Sequence, residues 1–129
     1  KGVVLKEGTD VTIFATGLEV YETVLAAEML EKDGISAEVV NIHTIKPIDK
    51  ELVIASATKT GKVVTVEEHF TIGGLGSAVC EVLSENAPTK VLRIGINDTF
   101  GESGPALELI HKYELDAEGI YKKVKAFVK

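Results

Sequence analysis

The chain has 129 residues, which is enough for one domain with its own core, and its 45% hydrophobic and 26% charged residues are ordinary values for a soluble globular protein. A net charge of −6 argues against a general nucleic-acid binder, because a phosphate backbone would be repelled over most of the surface. No run approaches the ~20 apolar residues that span a bilayer, and the single cysteine, Cys80, excludes an internal disulfide. We therefore expect a cytoplasmic domain without nucleic-acid or membrane partners.

Short β-branched runs separated by turn residues predict the strands. The first two, at residues 3–5 and 11–15, are joined by KEGTD, whose Gly8 and Asp10 are turn residues, so an antiparallel hairpin is possible. The other predicted strands are at residues 37–42, 62–66 and 91–96.

Helical patterns lie between and after these strands. The first covers residues 18–32 and ends at Gly34. The second predicted helix is capped by Asp49 and continues to about residue 60, and the third covers residues 75–86. Pro105 suits the first turn of a fourth helix that ends at residue 112, and Asp116 can cap the last helix. Strands alternating with helices indicate βαβ units, so we predict one α/β domain over residues 1–129, with a largely parallel sheet between two helical layers.

The stretch VTVEEHFTIGGLGSAV, residues 64–79, has the glycines of a phosphate-binding loop without the correct spacing. A dinucleotide fingerprint needs glycine at the first, third and sixth positions, and counting from Gly74 the sixth residue is Val79. The loop also follows a late strand, two glutamates precede it, and no Gly-Lys-Ser/Thr completes a Walker loop. We interpret Gly73, Gly74 and Gly76 as the entry to a helix that packs closely on the sheet.

Glu67, Glu68 and His69 follow a predicted parallel strand, at the edge where open α/β sheets usually bind ligands. Carboxylates beside an imidazole could perform acid–base chemistry or hold a metal. A metal is poorly supported, because adjacent strand residues point to opposite faces and no second Cys/His cluster completes a site. We favour the interpretation that one glutamate accepts hydrogen bonds from loop amides or a helix N-terminus, while His69 lies at an interface.

His43 follows another strand and could face the same edge. No catalytic, cofactor-binding or metal-binding residue is assigned. The candidate residues for an interface or a regulatory ligand are Glu67, Glu68, His69, Gly73, Gly74, Gly76 and His43.

Three stretches resemble the C-terminal domain of transketolase, and together they cover nearly the whole chain. They are GTDVTIFATGLEVYETVLAAEMLEKDGISAEVVNIHTIKPIDKE (residues 8–51), KVVTVEEHFTIGGLGSAVCEVLSE (62–85) and FGESGPALELIHKYELDAEGI (100–120). The pattern VEEH…GGLG is shared with deoxyxylulose-phosphate synthase and with the β subunits of 2-oxoacid dehydrogenases. NIHTIKPID together with FGESG favours transketolase, especially the form split into two polypeptides.

The resemblance implies a five-stranded mixed sheet whose first strand, residues 3–5, is antiparallel to the rest. It also implies a full enzyme that moves a two-carbon ketol unit between sugar phosphates with thiamine diphosphate and magnesium. In that family the cofactor lies between two other domains, and one of them binds its diphosphate through a Gly-Asp-Gly motif. This chain lacks that motif, since Asp33–Gly34 follows Lys32 and reads as a helix end.

The leading hypothesis is a structural, dimer-supporting domain that lacks the cofactor site and is inactive alone. Its partners would be the N-terminal thiamine-binding domains or subunit, in a homodimer or heterotetramer. One alternative is a regulatory domain that binds an anion or metabolite near residues 67–76, and another is an enzyme that uses His69 with Glu67 or Glu68. Within the family, the alternatives are deoxyxylulose-phosphate synthase and a 2-oxoacid dehydrogenase β subunit.

Overall fold

The computed structural model describes residues 1–70, 74–96, 110 and 114–129, apart from the side chains of residues 69, 70 and 96. The strands are β1 (Val3–Lys6), β2 (Val11–Ala15), β3 (Ala37–Asn41), β4 (Val63–Phe70) and β5 (Val91–Ile96). The helices are α1 (Glu19–Lys32), α2 (Lys50–Thr60), α3 (Leu75–Asn86) and α4 (Ala117–Val128). The helix predicted at residues 105–112 lies outside the described residues except for Ile110, which is helical.

The strands form one five-stranded sheet in the order β1-β3-β2-β4-β5. β1 runs antiparallel to β3, whereas the pairs β2–β3, β2–β4 and β4–β5 are parallel. The mixed sheet with an antiparallel first strand, which the resemblance implies, is therefore confirmed.

The hairpin considered possible for the first two strands does not form. β1 pairs with β3, where Val4 lies opposite Val40, and both edges of β2 are already taken by β3 and β4. All five residues of β2 are buried, which suits a central strand, whereas residues 3–5 of β1 are exposed. The connection crosses the start of β3 at Gly8, where a Cβ atom would lie 2.3 Å from the carbonyl carbon of Ala37.

The local signals for helix ends are confirmed. Asp49 accepts a hydrogen bond from the amide of Leu52 at 3.2 Å, and Asp116 accepts one from the amide of Gly119 at 2.9 Å. Gly34 has φ +80° directly after α1, where only glycine is unstrained. Each signal depends on one or two neighbouring residues, which explains why the sequence predicts them well.

The sheet separates two apolar cores. Alternate residues of β2 point to opposite faces, so Ile13 packs in the core beneath α1 and α4, whereas Phe14 packs in the core beneath α2 and α3. The predicted three-layer arrangement is thus confirmed. None of the helices in the described part of the chain is both long and apolar enough to cross a membrane.

Candidate functional site at the carboxyl edge of the sheet

β4 extends four residues beyond the predicted strand end at residue 66, so Glu67 and Glu68 are part of the strand. Successive strand side chains point to opposite faces of the sheet. Glu67 therefore faces the layer of α2 and α3, and Glu68 faces the layer of α1 and α4. The structure separates the two carboxylates that the sequence places side by side.

Glu67 is buried, with 1% of its surface exposed, and it caps α3. Its Oε1 accepts a hydrogen bond from the amide of Leu75 at 2.9 Å, and its Oε2 accepts one from the amide of Gly76 at 2.8 Å. The N-cap residue of α3, Gly74, has no side chain to fill this role. The first amides of a helix have no partner within the helix, and a negative charge there is favoured by the helix dipole. The expectation that one glutamate of this group binds a helix N-terminus is confirmed for Glu67.

Gly76 allows α3 to approach the sheet closely. A Cβ atom at this position would lie 2.6 Å from Nε of Arg93 on β5 and 3.1 Å from Oγ1 of Thr65 on β4. Arg93 is fixed in this contact, because its Nη2 donates a hydrogen bond to Oγ of Ser77 at 2.8 Å. The close approach of helix and sheet that we expected of this loop is therefore present at Gly76, while Gly73 lies outside the described residues.

On the opposite face, Glu68 lies against the turn that precedes α1. A Cβ atom on Gly17, which has φ +62°, would lie 2.9 Å from Oε1 of Glu68. This turn leads directly into Glu19, a residue that the sequence analysis did not single out.

Glu19 is fully buried, and neither of its carboxyl oxygens has a hydrogen-bond partner among the described residues. Burial raises the pKa of this carboxyl group to about 8, and the nearby charges of Glu22, Glu68 and Asp116 act in the same direction. The sequence does contain a signal for this position, since Glu19 is on the same helical stripe as Thr23 and Leu30, which are buried in α1.

The structure shows no contact between Glu67 and the side chain of either candidate histidine among the described residues. His43 is exposed in the segment between β3 and α2. The backbone of His69 belongs to β4, but its side chain lies outside the described part of the structure.

A cleft of about 290 Å³ lies between the segment before α2 and the side of α3. Its charged lining residues are Lys46, Lys50, Glu81 and Glu85, so the lysines and glutamates balance. The α3 amides that would attract an anion here are already bound to Glu67. The cleft therefore offers an anion neither a net positive charge nor the amides of Leu75 and Gly76.

The family model for the transketolase C-terminal domain matches residues 1–120. The chain belongs to the transketolase C-terminal domain family. A solved structure of the family, a split-gene transketolase described as an inactive beta4 tetramer, superposes with a TM-score of 0.91 at 52% identity, covering 98% of this chain and 41% of that one.

Named relatives of this transketolase C-terminal domain belong to more than one enzyme. The 6-deoxy-6-sulfo-D-fructose transketolase subunit SqwH of Clostridium sp. (strain MSTE9) is 52% identical over 122 residues, which cover 95% of this chain and 38% of that protein. The 1-deoxy-D-xylulose-5-phosphate synthase of Syntrophotalea carbinolica is 46% identical over 129 residues, covering 99% of this chain and 20% of that protein. The chain thus spans well under half of the length of these relatives.

The N-terminus of α3 does not fit the diphosphate of thiamine diphosphate, the cofactor that the family resemblance implies. The N-terminus of α3 is one of the helix ends at the carboxyl edge of the sheet, and its first amides already bind the carboxylate of Glu67. A second negative group beside that buried carboxylate would be repelled. In the same part of the chain, no group of three or more His, Cys, Asp or Glu side chains is arranged to hold a metal ion.

Proposed function

We propose that this chain is the non-catalytic C-terminal domain of a transketolase-like enzyme and that it supports assembly rather than the chemical step. The observation that carries the proposal is the capping of α3 by Glu67, because this candidate carboxylate, at the edge where open α/β sheets usually bind ligands, is used to anchor a helix. The other two domains of the full enzyme would bind thiamine diphosphate and magnesium and transfer a ketol unit between sugar phosphates.

Two further observations support dependence on partner domains. The solved relative described as inactive contains a region 52% identical to this chain within a longer subunit, which agrees with a division of the active enzyme between subunits. Large apolar side chains are also exposed on this domain, with Leu18 at 49% and Tyr21 at 67% of their surface. Exposed apolar groups that lie together are typical of surfaces that another domain covers. The partners would be the thiamine-binding domains or subunit, in a homodimer or heterotetramer.

Reconstitution tests this proposal. The thiamine-binding part of the same enzyme is prepared without this chain, and the two are assayed separately and mixed, by light scattering for assembly and by ketol transfer for activity. We expect no turnover from this chain alone, and both assembly and turnover from the mixture. Turnover by this chain alone, or full assembly and activity of the other part without it, would contradict the proposal.

The regulatory alternative predicts a different result. If a metabolite binds near residues 67–76, inorganic phosphate, sugar phosphates or nucleotides should raise the melting temperature of this chain in a saturable way. We expect no such rise, since Glu67 already occupies the α3 amides. Because one relative is a 1-deoxy-D-xylulose-5-phosphate synthase, that enzyme remains an alternative to transketolase within the family.

A further inference from the structure

The corner where α1, β4 and α4 meet contains an unusual buried polar group. Glu19 is 0% exposed, and both of its carboxyl oxygens are without a hydrogen-bond partner among the described residues. Thr23, one turn later on the same face of α1, is also 0% exposed, and its hydroxyl likewise has no partner there. A charged carboxylate in such a place would lose its hydration without any compensating contact.

Among the described residues, the charged groups that act on Glu19 come from all three elements and are acidic. Glu22 is on α1 itself and accepts a hydrogen bond from the amide of Ala117 at 2.8 Å. Glu68 comes from β4 and faces the turn at Gly17. Asp116 comes from the start of α4.

The carboxyl groups of Glu22 and Asp116 accept hydrogen bonds from the backbone amides of Ala117 and Gly119. Glu22 and Asp116 both disfavour a negative charge on Glu19 through their electrostatic interaction with it. A neutral Glu19 avoids this repulsion and also costs far less to bury.

We propose that Glu19 is a proton-binding site in the corner of α1, β4 and α4, and that release of its proton to solvent loosens this corner. The inference does not depend on the function proposed above. It makes the stability of the carboxyl edge of the sheet sensitive to pH in the neutral range.

The sign of the effect follows from linkage. The pKa of Glu19 is raised from 4.5 to about 8 in the folded chain, so the folded state holds the proton more tightly than the unfolded state. This contribution to stability is fully present below about pH 4.5 and is lost as the pH rises through about 8. Between these values the equilibrium constant for unfolding should rise about tenfold per pH unit.

The test compares wild type with Glu19→Gln, which keeps the shape of the side chain and removes its charge. Urea unfolding of both proteins is followed between about pH 5.5 and 7.5. The unfolding constant of the wild type is divided by that of the variant at each pH, so that the contribution of the histidines, which both proteins share, cancels. We expect the wild-type-to-variant ratio to rise about 100-fold over this window. Glu28→Gln, an exposed position on the same helix, should leave the corresponding ratio constant.

A second measurement keeps the inference testable if Glu19→Gln does not fold. The ¹³C shift of the Glu19 side-chain carboxyl in the wild-type chain should titrate near pH 8. Titration near the ordinary value of about 4.3, or a ratio of unfolding constants that does not change with pH, would overturn the inference.

Discussion

Glu67 provides the hydrogen-bond acceptors that the first turn of α3 needs, and it does so from a neighbouring strand. Local caps such as Asp49 and Asp116 accept an amide three residues ahead, whereas Glu67 reaches residues eight and nine positions away with one oxygen each. The sequence indicates this role only in part, because its position at the end of a parallel strand suggests contact with a helix N-terminus. The choice between Glu67 and Glu68 depends on which face of the sheet each one points to.

Glu67→Gln tests this role at the level of one residue. The amide group of Gln presents a donor where the carboxylate has an acceptor, so one of the two amides of α3 should be left without a partner in a buried place. We expect the free energy of unfolding to fall by about 1–3 kcal/mol, measured by urea denaturation.

The control for this measurement is Glu85→Gln, on an exposed position of α3, which should change stability by no more than about 0.5 kcal/mol. Equal stability of Glu67→Gln and wild type would show that Glu67 does not anchor the helix, and would return it to the list of candidates for ligand binding.

At the scale of elements, the packing of α3 on β4 and β5 depends on the missing side chain at Gly76. The position has no room for a side chain, since an added Cβ atom would lie 2.6 Å from Nε of Arg93. Arg93 cannot move freely because it binds Ser77. The glycine pattern of this segment thus serves the contact between helix and sheet.

We expect Gly76→Val to destabilise the fold by about 1–3 kcal/mol, because the added bulk either displaces Arg93 or holds α3 away from the sheet. Thermal unfolding measures the effect, and Gly76→Ala should be intermediate. Ser84→Val, at an exposed position of the same helix, controls for the introduction of a β-branched residue. A melting temperature for Gly76→Val equal to that of this control would contradict the interpretation.

The sequence predicts the helices and strands themselves more reliably than it predicts which strands pair. The bounds of α3 and β5 agree with the predicted residues 75–86 and 91–96, since apolar periodicity and turn residues are local signals. The pairing of β1 with β3 instead of β2 depends on distant residues, so the turn residues Gly8 and Asp10 were misleading. The sequence analysis did not identify Glu19, because the buried face of α1 is recognised from its apolar residues. A single glutamate on that face is easily assigned to the polar face of the helix instead.

At the scale of the whole molecule, both faces of the sheet are covered by helices, and its carboxyl edge is occupied by internal contacts. On one face Glu67 caps α3, and on the other Glu68 lies against the turn before α1. The contact of Glu67 leaves the first amides of α3 unavailable to a diphosphate. This arrangement agrees with the supporting role proposed for the domain.

Calorimetry with the cofactor tests the central proposal most directly. A thiamine diphosphate enzyme must hold the diphosphate and its metal and must activate the aminopyrimidine ring, and the proposal assigns both tasks to the other domains. Titration of thiamine diphosphate with magnesium into the 129-residue chain should give no saturable heat, whereas the assembled enzyme should give a binding curve. A micromolar dissociation constant for this chain alone would contradict the non-catalytic role.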